Sequence, residues 1–155
     1  MFHAKNYIKV TSLEEAYELN QKKSNAIIGG MLWLKMSNRN MQTAIDLSGL
    51  GLDKIEEQED AFSIGCMCTL RQLEIHEALN RYFGGAMKAC TRHIVGTQFR
   101  NGATVGGSIF GRFGFSDILT CLLALDTYVE LYHAGVIALS EFVDCLLYTS
   151  PSPRD

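Results

Sequence analysis

The chain has 155 residues, 47% of them hydrophobic, and carries a formal net charge of −3. This is enough for one globular domain with a hydrophobic core. The absence of a basic run excludes a typical nucleic-acid-binding surface, and no apolar stretch is long enough to span a bilayer. The N-terminus lacks the charged-then-apolar order of a signal peptide, and the five cysteines show no framework spacing. We therefore expect a cytoplasmic protein with reduced thiols.

The beginning of the chain predicts a strand, a helix and a second strand. Residues 7–10 are a short strand candidate, and the hydroxyls at 11–12 can cap the helix that follows. The apolar run 26–28 predicts a buried strand that stops at Gly29 and Gly30, which we call the first glycine pair. At the end of such a β–α–β opening, a sheet can present backbone N–H groups to an anion.

The rest of the chain predicts an irregular mixture of short strands and helices. In chain order we expect a strand at 44–47, two strands around an acidic turn within 53–65, a helix capped by Thr69, a helical piece interrupted at Gly84 and Gly85, a helix starting at Ser116, a hairpin of 127–132 and 136–139, and a helix starting at Ser140. This mixture predicts an α+β fold with an N-terminal lobe of residues 1–54 and a second lobe of residues 55–144.

The last residues, 145–155, differ abruptly from what precedes them. Their sequence, C-L-L-Y-T-S-P-S-P-R-D, is similar to the translation of a transposase-type sequencing adapter. We therefore expect a non-native tail, a native chain that continues beyond Asp144, and a second lobe that is incomplete. A natural disordered C-terminus is the alternative.

Five of the chain's 14 glycines cluster in one short stretch. It contains Gly106 and Gly107, the second glycine pair, between the hydroxyls of Thr104 and Ser108, and Asp117 follows at a predicted helix start. Tight turns alone could explain these glycines. The alternative is a ligand, since hydroxyls and free N–H groups suit phosphate oxygens and a carboxylate suits ribose or ribityl hydroxyls. Two such loops, one in each lobe, would clamp a dinucleotide pyrophosphate.

Other sites have less support in the sequence. Neither glycine pair matches the Rossmann or Walker pattern, and no serine or cysteine nucleophile is paired with a base. The histidines are scattered and Cys66 and Cys68 lack redox spacing, so we predict no metal or dithiol site. Arg71 and Glu74 are at helical spacing and are interpreted as a solvated pair. Trp33 either packs in the core or borders a planar ligand.

The second glycine pair lies in a motif that resembles a known family. The chain has Q-F-R-N-G-A-T-V-G-G-S-I followed by F-S-D-I-L-T-C-L-L-A-L-D. This resembles the flavoprotein subunit of the molybdenum hydroxylases, found in xanthine dehydrogenases and in the medium subunit of aerobic carbon monoxide dehydrogenases. The family pattern is Q-x-R-N-x-A-T-x-G-G-[NS]-I, then a small residue and Asp, then an apolar helix. The resemblance covers residues 1–144.

The resemblance implies FAD, the two-lobed fold of vanillyl-alcohol-oxidase-type flavoproteins and a missing C-terminal subdomain. It implies cofactor-binding residues and no catalytic or metal-binding ones: Ile28, Gly29, Gly30, Met31, Leu32 and Trp33 in a first pyrophosphate loop, Thr104, Gly106, Gly107 and Ser108 in a second, Asp117 as a hydrogen-bond partner, and Ile94 against the isoalloxazine. Relatives often carry Thr, Gln, Ser or Glu where this chain has Met31 and Leu32. Backbone N–H groups must therefore suffice in the first loop.

The resemblance also implies a function. The chain would be the electron-transfer subunit of a molybdenum-containing hydroxylase or dehydrogenase, in which FAD takes electrons from an iron–sulfur partner, fed by a molybdenum-cofactor subunit, and passes them to an acceptor such as NAD. Cys66, Cys68, Cys90 and Cys121 lack the spacing of an iron–sulfur site, so the donor would be another chain or domain. The alternatives are a non-catalytic nucleotide-binding or regulatory module, or a structural domain whose glycines only form turns.

Overall fold

The structure of the chain, a computed structural model, describes residues 2–147. Its strands are β1 (His3–Lys9), β2 (Asn25–Ile28), β3 (Asn40–Asp46), β4 (Ile55–Glu57), β5 (Phe62–Ile64), β6 (Tyr128–Leu131) and β7 (Gly135–Ala138). Its helices are α1 (Leu13–Asn20), α2 (Leu70–Ile75), α3 (Glu77–Tyr82), α4 (Ala86–Thr91), α5 (Thr97–Gly102), α6 (Val105–Gly111), α7 (Asp117–Leu123) and α8 (Leu139–Leu147), with a 3-10 helix at Leu34–Met36. The predicted mixture of strands and helices is confirmed.

The N-terminal part of the chain forms a three-stranded parallel sheet in the order β1-β3-β2. Helix α1 connects β1 to β2, and the Ser12 hydroxyl caps it by accepting the N–H of Glu15 at 3.1 Å. In the central strand, Ile45 is paired with Ile8 on one side and with Ile27 on the other, and it is fully buried. The predicted β–α–β opening is thus confirmed, and the first glycine pair directly follows β2 at the edge where the strands end.

The part of the chain after β3 forms two antiparallel hairpins, β4–β5 and β6–β7, with a group of short helices between them. Thr69 begins α2 through a capping box, in which its hydroxyl and the Gln72 side chain each accept the other residue's N–H. The helical interruption falls at Gly84 and Gly85, whose φ angles are 58° and 84°. Ser116 caps α7. These local features agree with the sequence predictions because short-range signals specify each of them.

The hydrophobic core consists of separate clusters. The sheet side has one cluster of Val10, Ala16, Ile45 and Leu47, and another of Ile28, Met41 and Ala44. The helical side has a larger cluster: Cys68, Leu70, Leu73, Leu79, Met87, Val105, Ile118, Leu119, Leu122 and Leu139. No helix within residues 2–147 has the length and hydrophobicity needed to cross a membrane.

The glycine-rich stretch differs from its prediction as a loop, because it forms α5 and α6. The N–H of Val105 donates to the carbonyl of Cys68 and that of Gly106 to the carbonyl of Cys66, each at 2.8 Å. The hydroxyl of Thr104 caps α6. Two of these acceptors, the carbonyls of Cys66 and Cys68, lie in a distant segment of the chain. They stabilise a helix that the glycines alone would disfavour.

Two further predictions end differently. The solvated pair of Arg71 and Glu74 is wrong in one respect: Glu74 is only 7% exposed, because Arg100 pairs with it from α5. At the C-terminus, α8 continues to Leu147, past the predicted start of the tail. Residues 148–155, on which most of that prediction falls, lie outside the described residues.

Candidate functional site

The first glycine pair begins a segment whose backbone N–H groups have no partner within the chain. None of the N–H groups from Gly29 to Trp33 has an acceptor among the described residues, and the next bonded one is that of Lys35, which donates to the Met31 carbonyl at 2.9 Å. Met31 has a φ of 59°, which is uncommon for a residue with a side chain. Gly30 and Trp33 are exposed. The segment therefore offers a row of donors to solvent or to an anion.

The second glycine pair has its N–H groups already engaged. Val105 and Gly106 donate to backbone carbonyls, as described above, while Gly107 donates to the Thr104 hydroxyl oxygen at 3.2 Å. The N–H of Ser108 donates to the Thr104 carbonyl at 3.0 Å, and the Ser108 hydroxyl bonds to the same carbonyl. The expected free N–H groups are thus absent from Val105–Ser108. What remains available here is the exposed backbone of Gly107, which has no side chain.

The fold packs the two glycine pairs against each other. A Cβ built on Gly29 would lie 2.7 Å from the Thr104 Oγ1 atom, and one built on Gly107 would lie 2.9 Å from the same atom. A Cβ on Gly30 would lie 1.5 Å from the Gly102 carbonyl oxygen, and one on Gly106 would lie 2.7 Å from the Cys66 carbonyl oxygen. Close packing within the protein therefore accounts for Gly30 and Gly106 before any ligand is considered.

Aromatic rings surround Trp33 beside the first glycine pair. Its ring centroid lies 5.9 Å from that of Phe99, 5.8 Å from that of Phe113 and 6.2 Å from that of Phe115. Trp33 is 49% exposed and Phe115 is 69% exposed. Of the two sequence interpretations of Trp33, burial in the core is therefore wrong. The neighbouring side chain of Leu32 packs against Gly102, since it lies 3.4 Å from where a Cβ of Gly102 would be.

The turn that contains Ile94 lies immediately before α5. Ile94 is partly buried and its side chain packs partly on the core of the helical side. Val95 follows with a φ of 50°, an outlier for a β-branched residue, and is 73% exposed. The Ile94 carbonyl accepts a hydrogen bond from the Nη1 atom of Arg100 at 3.2 Å. The sequence interpretation missed Arg100, although it is the only charged residue between His93 and Arg112.

A buried ion pair connects that turn to α2. Arg100 Nε donates to Glu74 Oε2 at 2.8 Å and Arg100 Nη2 to Glu74 Oε1 at 3.3 Å. Arg71 adds a contact of 2.9 Å to the same carboxylate from its more exposed position. The hydrogen bonds from Arg100, together with those from Arg71, hold the pKa of Glu74 below its usual value, although burial opposes them. Glu74 is therefore ionised at neutral pH.

Asp117 begins α7, and its exposed side chain makes no hydrogen bond to another described residue. The cap of this helix is Ser116, whose hydroxyl accepts the N–H of Leu119 at 3.3 Å, so Asp117 is free of that role. No hydrogen bond within the described residues joins Asp117 or Ile94 to either glycine pair. The structure thus brings together the two glycine pairs with Thr104. Asp117 begins α7, which packs against α6, the helix that contains the second pair.

Burial raises the pKa of the Cys66 and Cys68 thiols near the second glycine pair. Cys66, Cys68, Cys90 and Cys121 are free thiols in the part of the chain that is described. Burial, together with the neighbouring Cys121, raises the pKa of Cys90 to about 12. Among residues 2–147 no group of three or more His, Cys, Asp and Glu side chains is arranged to hold a metal ion.

Comparison with known proteins gives a consistent result. Residues 2–150 match the family profile of the FAD binding domain in molybdopterin dehydrogenase. The protein YgfM of Escherichia coli strain K12 is 26% identical over 143 residues, which cover 90% of this chain and 54% of YgfM. The medium subunit of nicotine 6-hydroxylase from Paenarthrobacter nicotinovorans is 33% identical over 131 residues, covering 81% of this chain and 46% of that subunit.

The fold has a counterpart among solved structures. A chain of quinoline 2-oxidoreductase from Pseudomonas putida 86 superimposes with a TM-score of 0.80 at 20% identity, over 92% of this chain and 53% of that one. At this identity the likeness concerns the fold alone. The chain spans about half the length of the proteins that it matches.

Proposed function

Because the chain belongs to the family of FAD-binding domains in molybdopterin dehydrogenases, we propose that it is the FAD-binding, electron-transfer component of a molybdenum-containing hydroxylase or dehydrogenase. One observation carries the proposal: the N–H groups from Gly29 to Trp33 have no acceptor within the described residues. Successive N–H groups in an irregular segment form a concave site for anions. A pyrophosphate is an anion with several acceptor oxygens, which such N–H groups can bind.

The residues around this segment fit a dinucleotide cofactor. Gly29 and Gly107 present backbone without side chains on either side of Thr104. A cofactor pyrophosphate would be held by the first loop through its N–H groups, and the exposed backbone of Gly107 would leave room for its approach. The proposed cofactor-binding residues are those that the sequence predicted: Ile28, Gly29, Gly30, Met31, Leu32, Trp33, Ile94, Thr104, Gly106, Gly107, Ser108 and Asp117.

These residues would bind different parts of the cofactor, according to their chemistry. The side chains of Met31 and Leu32 offer no hydrogen bond, so the first loop would bind through backbone alone. Asp117, exposed and without a hydrogen-bond partner among the described residues, would accept hydrogen bonds from cofactor hydroxyls. Ile94 would contact the isoalloxazine. When bound, FAD supplies the redox chemistry, and the chain supplies binding and orientation.

The wider assembly is also part of the proposal. We propose an iron–sulfur subunit and a molybdenum-cofactor subunit as partners, and an acceptor such as NAD. Support comes from the nicotine 6-hydroxylase relative, which is a medium subunit and so belongs to an assembly of several chains. From the sequence pattern we also propose a division into lobes at 1–54 and 55–144, and from the family resemblance a likeness to vanillyl-alcohol-oxidase-type flavoproteins.

The proposal is tested by reconstituting the purified chain with FAD. We expect equimolar binding in titration calorimetry, and a yellow protein whose visible flavin band bleaches on chemical reduction. A non-catalytic nucleotide-binding module would instead bind ADP and FAD with equal affinity and would leave the flavin spectrum as it is in free solution. A chain that binds neither would favour a structural role for the glycines and would overturn the proposed function.

A further inference from the structure

We propose that Arg100 and Glu74 are positioning residues, which hold the turn of Ile94, Val95 and Gly96 at the isoalloxazine side of the site. This inference rests on the proposed function, in which Ile94 contacts the isoalloxazine. Arg100 and Glu74 would not touch the cofactor themselves. They would act through the backbone of the turn, on the flavin end of the ligand only.

The hydrogen bonds of Arg100 lead to that turn. Its Nε and Nη2 atoms donate to the two carboxylate oxygens of Glu74, at 2.8 Å and 3.3 Å. Its Nη1 atom donates to the Ile94 carbonyl at 3.2 Å, and Nη2 also reaches the hydroxyl of Thr97 at 3.4 Å. The guanidinium thus joins a fixed acceptor on α2 to the turn before α5. Both Arg100 and Glu74 are buried, with 5% and 7% exposure.

The turn needs such support, because its backbone is strained. Val95 has a φ of 50°, a conformation that a β-branched residue adopts at a cost and retains only when its surroundings enforce it. The carbonyl held by Arg100 belongs to the peptide bond immediately before Val95. The Val95 side chain is 73% exposed and so contributes little packing of its own. The hydrogen bond to Ile94 is therefore a direct restraint on the strained peptide.

A buried ion pair is a poor device for stability alone. Removing two charges from water is unfavourable, and well-packed apolar residues often serve a fold equally well. A guanidinium offers donors in a planar fork, which can bind a carboxylate with two bonds and a carbonyl with another. A lysine is a single point charge and cannot make all these bonds at once. The geometry of Arg100 uses this difference.

The test compares the affinities of FAD and ADP for the whole chain, by titration calorimetry, in the wild type and in Arg100→Lys. ADP has the pyrophosphate and the adenosine but no isoalloxazine. We expect the dissociation constant for FAD to rise about tenfold or more, as a lost charge-assisted hydrogen bond implies, while that for ADP is unchanged. The matched control is Arg71→Lys, which alters a contact to the same Glu74 carboxylate without touching the turn, and both affinities should stay unchanged. Visible circular dichroism of bound FAD should change in Arg100→Lys and not in Arg71→Lys.

The outcomes separate this inference from the proposed function. If the wild type binds no FAD, the proposed function fails, and the inference fails with it. Suppose instead that the wild type binds FAD. If Arg100→Lys then lowers the affinities for FAD and ADP equally, or changes neither affinity, only the positioning role is overturned. Should Arg100→Lys not fold, Glu74→Gln takes its place, because the amide has nearly the same shape but has no charge and only one oxygen to accept the two bonds that fix the guanidinium. Glu74→Gln should then lose FAD affinity and retain ADP affinity. A variant that binds FAD as tightly as the wild type does would overturn the positioning role.

Discussion

The first and second glycine pairs lie side by side, yet their backbones are used in opposite ways. The N–H groups from Gly29 to Trp33 have no acceptor within the described residues, whereas those from Val105 to Ser108 all donate to atoms of the protein. The first pair is therefore open to a ligand and the second is closed. Two glycine pairs differ in the hydrogen bonding of their backbones because one follows a strand end and the other lies inside a helix.

A second contrast runs within each pair. Gly30 and Gly106 face backbone carbonyl oxygens, at distances that no Cβ could occupy. Gly29 and Gly107 both face the hydroxyl of Thr104, and Gly107 meets nothing else within 4 Å. One glycine of each pair thus serves the packing between chain segments, and the other leaves space next to Thr104. Substitutions at the two kinds of position should have different consequences.

The largest effect is expected for ligand binding in Gly107→Val. The added side chain would lie on the exposed backbone where the pyrophosphate is proposed to approach, and it meets only the Thr104 hydroxyl of the protein. We expect FAD affinity to fall more than about 100-fold, or about 3 kcal/mol, with a smaller loss of stability. Titration calorimetry and urea unfolding of the same preparation measure both. Gly114→Val is the matched control, because a Cβ there has no neighbour within 4 Å.

Unchanged FAD affinity in a folded Gly107→Val protein would show that the second pair takes no part in the site. The open first pair would then have to bind the pyrophosphate alone. A large loss of stability with no separate loss of affinity would instead place Gly107 with Gly30 and Gly106, and the contrast within the pairs would disappear.

Gly30→Ala should be the most destabilising alanine substitution of the four glycines. Its Cβ would lie 1.5 Å from the carbonyl oxygen of Gly102 and 2.5 Å from the carbonyl carbon, and a backbone cannot move aside as a side chain can. We expect a loss of about 3 kcal/mol, at the upper end for an overpacked site. Gly107→Ala is the matched control and should change stability by less than about 1 kcal/mol, since the helix gains from alanine. Urea unfolding midpoints of the two variants measure this difference. Equal losses of stability would contradict the conclusion that Gly30, and not Gly107, is required for packing.

Parts of this arrangement could be predicted from the sequence, where a few adjacent residues specify the structure. The strand at 26–28, the caps at Ser12, Thr69 and Ser116, and the helical interruption at Gly84 and Gly85 all depend on neighbours in the chain. The same holds for the first glycine pair, because the end of a strand and a following glycine pair are both visible locally.

Other parts depended on contacts that no local pattern reveals. The helix at Val105–Gly111 forms with acceptors at Cys66 and Cys68, far away in the chain. Glu74 resembles a surface residue at helical spacing from Arg71, and only Arg100, 26 residues further on, explains its burial. The family predicted from the resemblance is confirmed by the family profile over residues 2–150. It could not show which glycine N–H groups are open and which are engaged.

Acid should weaken the side of the second pair, where the carboxylate of Glu74 is buried. On the side of the first pair, burial opposes ionisation of Asp46, but hydrogen bonds from Tyr7 and Ser48 outweigh it and also hold the pKa of Asp46 below its usual value. The hydrogen bonds from Arg100 keep the folded-state pKa of Glu74 below its usual 4.5. The ionised form therefore favours the fold: this stabilisation is fully present above the unfolded-state pKa and is lost as the pH falls through the folded-state value. Urea unfolding between neutral and acidic pH should show this loss in the wild type. In Glu74→Gln the decline should be shallower, and parallel curves would contradict the role of the carboxylate.

The smallest effect concerns Thr104, the residue that both glycine pairs face. Its hydroxyl oxygen accepts the N–H of Gly107 at 3.2 Å and caps α6, so Thr104→Ala should cost about 1 kcal/mol of stability. Thr104→Ser keeps the hydroxyl and is the matched control, which should lose only the contribution of a buried methyl group.

Because Thr104 Oγ1 also lies 2.7 Å from the Cβ position of Gly29, removing it opens space towards the first pair. The N–H of Gly107 then becomes free, while those of Val105, Gly106 and Ser108 keep their backbone acceptors. We therefore expect the alanine variant to retain FAD affinity better than Gly107→Val does, despite its lower stability. Calorimetric titration and urea unfolding of Thr104→Ala, Thr104→Ser and Gly107→Val in parallel measure this, and a loss of affinity in Thr104→Ala as large as in Gly107→Val would mean that the hydroxyl itself binds the cofactor.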